Sequence, residues 1–405
     1  MTIKSRLLIF PIILVFYEIA TYLSNDMYLP ALPEMMKDLS LSTRQAQLTL
    51  TTWFIGSATL PLILGVVSDR FGRRPVILIG GIVYVISTIA CALAANPQQL
   101  LIARFIEGAA IPSMMVAGYA CVHELFDRKE AIRILALMGS ITVLAPALGP
   151  LLGSIILYFS SWRGIFTVIA IWAAITLTLL FYWMPETHTP DKRKPIHFKT
   201  LFKQYGLVIS NKQFMMLLFV QGLIFTGFIS FLSASSLLIV ESFGYSPIAY
   251  GLMQAVIFSA FVFGNYWVKR VLDTVSVKRL IWSGLSITFF GGVLLFSFAL
   301  LFPQSLYLFV IAITIYSLGS ALCFAPLNRS VIESSDQPMG VRVSLYTVLW
   351  TSFAAFGSSI ASYMFDGSIR SVAIPIALLI TLSCLLMLIC GLKEPQREVA
   401  LAEPS

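Results

Sequence analysis

The chain has 405 residues, 58% of them hydrophobic and only 11% charged, with a mean hydropathy of +0.88. That much apolar surface exceeds what one water-soluble core can hide, and it points to a bilayer. The formal charge of +8 would suit nucleic acid, but the cations are strung through loops between apolar runs rather than gathered into a basic domain, which excludes that partner.

Twelve apolar runs long enough to cross a bilayer as helices recur along the chain, approximately at 7–30, 44–67, 75–95, 99–122, 132–158, 163–184, 213–240, 247–268, 280–302, 304–328, 341–364 and 371–392. They lack the short alternation of barrel strands, so the fold class expected is an all-α membrane protein of twelve transmembrane helices. Of the 27 Lys and Arg, only Lys37, Arg44, Arg163 and Arg370 fall in segments on one side, and Arg104 lies within a run. The rest occupy the other side, which the positive-inside rule makes cytoplasmic together with both termini. The first run is too long, and too interrupted by acids, for a cleaved signal peptide.

That first run, "FYEIATYLSNDMYLP" (Phe16 to Pro30), carries Glu18 and Asp26. Glu18, Tyr22 and Asp26 are spaced four apart, so neighbours lie along one helical face while the two acids stand about 12 Å apart along the axis. They cannot form a close dyad. Either Asp26 sits near the interface with Glu18 as a satisfied polar group, or both are functional carboxylates for which a proton and a substrate cation compete.

After the second run comes "GVVSDRFGRRPVIL" (Gly65 to Leu78), a tight turn in which Asp69 can cap a helix end or pair with a cation. The fourth run contains "LLIARFIEGAAIPS" (Leu100 to Ser113). A guanidinium in mid-span costs at least about 2.5–3.5 kcal/mol, so Arg104 must face the protein interior and a partner. Two jobs are open to it: a neutral pair with Glu107, three residues on, or modulation of a carboxylate on another helix. The fifth run, "GSITVLAPALGPLLGS" (Gly139 to Ser154), gathers glycine and proline in a pattern that permits a kink and close helix contact.

The longest polar stretch, "PETHTPDKRKPIHFKTLFKQYGLVISNKQ" (Pro185 to Gln213), divides six runs from six. The expected organisation is a bundle at 1–184, a linker at 185–212 and a second bundle with a short tail at 213–405, a build common among transporters. The basic middle of the linker can lie on the membrane surface or be a solvated connector. In the second half, Phe225, Phe228, Phe231, Trp350, Phe353 and Phe356 recur at helical spacings and suit either a cavity wall or ordinary packing. The five cysteines stand alone and read as small core fillers, and neither a metal cluster nor a nucleophile–base pair is legible.

Three of these segments together resemble the major facilitator superfamily. The loop at Gly65 to Leu78 matches its G-x-L-a-D-r-x-G-r-k signature with Val67 for Leu, and the fourth run matches l-x-R-x-x-q-G with Glu107 for Gln. The fifth run looks like g-x-x-x-G-P-x-x-G of the antiporter branch. Within that branch, Tyr17-Glu18, Thr21-Tyr22, Asn25-Asp26 and Gly118-Tyr119 are similar to the twelve-span drug/proton antiporters of the multidrug and chloramphenicol resistance type.

The resemblance implies two six-helix bundles working by alternating access in the bacterial inner membrane. It implies proton coupling through Asp26, Glu18 and Arg104, and a substrate cavity lined by Glu18, Tyr22, Asn25, Asp26 and Tyr119. Gly65, Asp69, Arg70, Gly72 and Arg73 would stabilise an outward-facing state, and Gly139, Pro146, Gly149, Pro150 and Gly153 would form the antiporter element. In the second half, "GNYWVKRVLDTVSVKR" keeps the charge character of the loop signature around Asp273 but not its spacing. The expected partners are lipophilic small molecules, protons and lipids, with no cofactor and a monomeric state. A metabolite, sugar or siderophore cargo and a non-transporting receptor or scaffold are the alternatives.

Overall fold

The computed structural model describes residues 3–188, 198–272 and 274–391. Asp273 and the most basic part of the linker lie outside the described residues. The long elements are α-helical: α1 (Ile3–Asp26), α3 (Thr43–Thr59), α4 (Pro61–Phe71), α5 (Arg73–Ala92), α6 (Pro97–Leu125), α7 (Arg128–Phe159), α8 (Trp162–Trp183), α10 (Lys212–Ser236), α11 (Pro247–Val271), α12 (Val277–Leu301), α13 (Leu306–Glu333), α14 (Met339–Met364) and α15 (Ile369–Cys390). The short α2 (Leu32–Leu39) and the linker helix α9 (Phe198–Ile209) complete the set. Among the described residues, nine single helices are long and apolar enough to cross a membrane, and α3 with α4 makes a tenth span bent by 46°. Helices α1 and α7, of 24 and 32 residues, supply the other two long segments.

The second apolar run is thus broken where one continuous helix was expected. Pro61 has no N–H to continue the ladder and stands at the first position of a new helix, with Leu60 as the shared cap. The first run also ends sooner, at Asp26, before a tight turn at Leu29–Ala31 leads into α2. At the foot of α3, Ser42 and Gln45 form a capping box that satisfies orphan N–H groups.

Large aliphatic side chains face outward, among them Ile79, Ile86 and Leu388 at 63%, 61% and 66% exposure. Lipid tails are as apolar as these side chains, so helix association must come from close packing and hydrogen bonding. Between α3 and α6 it comes from backbone contact: a Cβ at Gly56 would strike the Phe105 carbonyl, and one at Gly108 the Trp53 carbonyl.

Helices α1 and α3–α8 form one bundle, in which α5 packs on α6 and α8, α3 on α6, and α1 on α7 and α8. Helices α10–α15 form the other, with α12 on α13 and α15, and α10 on α14 and α15. The bundles meet along α3 with α14 and α7 with α11. Away from the basic loops this seam is closed by Thr51 to Ser358 at 2.8 Å, by Arg44 stacked 3.9 Å over the Tyr363 ring, and by Ser154, whose hydroxyl lies 2.7 Å from the Pro247 carbonyl. On the basic face, α9 packs on α10 and α14, and its buried Tyr205 donates to the Leu62 carbonyl of α4 at 3.1 Å.

Candidate functional site

Helix α1 enters the first bundle with one polar face, and this face makes two separate stations. At the first, Glu18 is fully buried; one carboxylate oxygen accepts the Tyr119 hydroxyl of α6 at 2.8 Å and the other is buried without a hydrogen-bond partner. One turn on, the Tyr22 hydroxyl reaches the Met115 sulfur of α6 at 3.9 Å. Tyr22 and Tyr119 are half-buried. Met115 was missed in the sequence, although its i,i+4 spacing from Tyr119 places it on the same helical face.

The second station is the end of α1. Asp26 is 3% exposed and accepts the Asn25 side-chain amide at 3.2 Å, while the Asn25 carbonyl oxygen is buried and unpartnered. The antiporter-like segment of α7 packs against it. A Cβ at Gly149 would come within 2.7 Å of the Asp26 Cβ, and one at Gly153 would collide with the Met27 carbonyl. These glycines bring α7 against the last turn of α1, and the buried Pro150 follows in the same stretch. Pro146 is half-buried within α7; Gly139 belongs to the same helix, and its surroundings lie outside the described residues.

Arg104 occupies a third place. It is fully buried, and its Nη1 lies 2.5 Å from a Glu107 oxygen and 3.2 Å from the Ser24 carbonyl, with the Tyr28 ring 4.5 Å from the guanidinium. The other Glu107 oxygen accepts the Thr88 hydroxyl at 2.9 Å. Among the described residues no hydrogen bond or ion pair links Arg104 to Glu18 or Asp26. Thr88, on α5, carried no signal in the sequence.

The loop signature folds back on its own bundle. Gly72 takes φ +104°, a value that favours glycine, and turns the chain from α4 into α5. The N-terminus of α5 is then capped by Glu186, which accepts from the backbone N–H of Arg73 at 3.0 Å and of Arg74 at 3.3 Å. The Arg73 side chain pairs with Asp69 at 2.5 Å and Glu124 at 3.0 Å and donates to Ser68. Arg70 is exposed, and Gly65 sits within α4 beside Val116 of α6. Glu124 and Glu186 were not anticipated, because they lie 51 and 113 residues from Arg73 and only the tertiary fold brings them there. Phe225 and Trp350 stack 3.9 Å apart across α10 and α14, whereas Phe356 is 56% exposed and faces outward.

The Major Facilitator Superfamily profile matches residues 14–358. The multidrug transporter MdfA of Escherichia coli O157:H7 is 32% identical over 334 residues, covering 82% of this chain and 81% of the relative. The chloramphenicol resistance protein CraA of Acinetobacter baumannii is 29% identical over 349 residues, covering 86% and 84%. Among solved structures, a partially occluded, inward-open form of the xylose transporter XylE from E. coli superposes with a TM-score of 0.76 over 95% of this chain and 98% of that one, at 15% identity, a likeness of fold alone.

Proposed function

Because the chain belongs to the major facilitator superfamily, we propose that it is a proton-coupled antiporter that exports lipophilic small molecules or drugs, cations among them, by alternating access. The observation that carries this reading is Glu18: a fully buried carboxylate with one oxygen held by Tyr119 and the other left unpartnered. A charge placed in so apolar a setting is costly unless it is neutralised by a proton or a bound cation, and these two exclude one another. The names of the MdfA and CraA relatives support a drug-like cargo.

In this reading Asp26 carries the proton, and the Asn25 amide steadies its ionised form. Glu18 sets the charge preference, with Tyr22, Asn25 and Tyr119 lining the cavity. Residues 1–184 and 213–405 rock about that cavity, joined by the linker 185–212. The basic face is cytoplasmic, with both termini, in a bacterial inner membrane, and the protein works as a monomer among lipids. The seam closed by Thr51 and Ser358 is then the outer gate, and the folded-back pairing of Asp69 with Arg73 fits a loop latch released from the second bundle. Gly149 and Gly153 hold Asp26 against α7, so movement of α7 changes the surroundings of the proton carrier.

The test is uptake into inside-out vesicles. With acid inside, the protein should accumulate tetraphenylphosphonium, and collapse of the pH gradient should abolish that accumulation. Equal uptake with and without the gradient would contradict proton antiport.

A further inference from the structure

The pattern l-x-R-x-x-q-G carries Gln where this chain has Glu107, and the structure gives that exchange a definite consequence. Both oxygens of Glu107 are engaged, one by Arg104 and one by Thr88, and acid and guanidinium are each fully buried. The guanidinium is enclosed by the Ser24 carbonyl and Tyr28 ring of α1, the Thr49 carbonyl of α3 and the Phe166 ring of α8. Asp26 points elsewhere. It follows Ser24 by two residues, which turns it roughly 200° around α1, and its Cβ packs on Gly149 of α7. Arg104 thus gives Nη1 to Glu107, while its Nη2 is buried without a hydrogen-bond partner, and Asp26 packs on α7 within reach of its charge.

We propose that Glu107 tunes charge specificity by neutralising Arg104 as a pair, which weakens the cation's pull on Glu18 and Asp26 and favours cationic over uncharged substrates. The inference rests on the antiport reading above. With glutamine at 107 the guanidinium would have no anion of its own, and leaving a charge buried and unpaired is costly. The nearest relief is attraction toward the two acids of α1, in direct competition with a substrate cation. A unit charge brought within roughly 10 Å, at an effective dielectric constant of about 20, changes cation affinity by about tenfold.

The experiment measures KM for tetraphenylphosphonium and for uncharged chloramphenicol in proteoliposomes under a fixed pH gradient. Glu107→Gln should raise the tetraphenylphosphonium KM about tenfold and leave the chloramphenicol KM within about twofold. Glu107→Asp keeps an anion beside Arg104 and should hold the tetraphenylphosphonium KM within about threefold of the parent. Equal effects of Glu107→Gln on both substrates, or a tenfold higher cation KM in Glu107→Asp, would overturn the proposal. If Glu107→Gln does not fold, Glu107→Asp against the parent decides alone. Failure of the parent protein to move either substrate against the gradient would instead refute the antiport reading beneath it.

Discussion

At the residue scale, the chemistry rests on few polar groups in an apolar bundle, so single-atom changes have readable effects. Tyr119→Phe deletes the one donor to Glu18 among the described residues. A hydrogen bond to a charged group contributes about 1.5–3 kcal/mol, so the variant should weaken cation binding by at least about tenfold, measured by quenching of intrinsic fluorescence, with little effect on an uncharged substrate. Asp38, in the short α2, belongs to a different class. The Arg163 guanidinium and the Trp162 indole N–H hold its carboxyl below the usual carboxylate range. A depressed value means that this tie between α2 and α8 is fully present at neutral pH and is lost as pH falls through the lowered value. Melting temperature should therefore drop slightly in Asp38→Asn at pH 7, and the two proteins should converge under strongly acid conditions. Glu18, Asp26, Arg104 and the Tyr22–Tyr119 pair were all legible as candidates in one sequence. Glu124, Glu186 and Thr88 were not, because partners far apart in the chain leave no local pattern.

At the scale of elements, α7 and the α3–α4 pair matter most. Gly153 lies so close to the Met27 carbonyl that any side chain must displace backbone, and overpacking of this kind costs about 1–3 kcal/mol or more. Gly153→Val should reduce the yield of monodisperse protein on gel filtration and abolish transport, whereas a valine at the half-buried Pro146, where it replaces a side chain of similar size, should leave the yield near normal. The run at 44–67 is long enough to span as one helix, and average hydropathy hid the break that Pro61 introduces; the proline itself was the available signal. The α2 helix, "LPEMMKDL", was hidden differently, being only 8 residues long and amphipathic. Helix boundaries elsewhere followed the runs to within a few residues, since membrane thickness fixes how long a spanning helix must be.

For the whole molecule, the closed seam between the bundles on one face and the strap of α9 on the other set out what must separate in a transport cycle. Tyr205→Phe removes the hydrogen bond from α9 to α4, worth about 0.5–1.5 kcal/mol, and should speed labelling of a cysteine placed on the basic end of α14, read by maleimide kinetics. The fold could be anticipated from span count and charge asymmetry, but the direction in which Arg104 turns could not, because a neighbour three residues on and a carboxylate on another helix were both open to it. The central claim is that proton and substrate compete for buried carboxylates of α1. The most direct measurement is proton release from the purified protein in weakly buffered detergent when tetraphenylphosphonium is added. Release by the parent protein, largely lost in Asp26→Asn, is the predicted result; no release, or undiminished release from that variant, would contradict it.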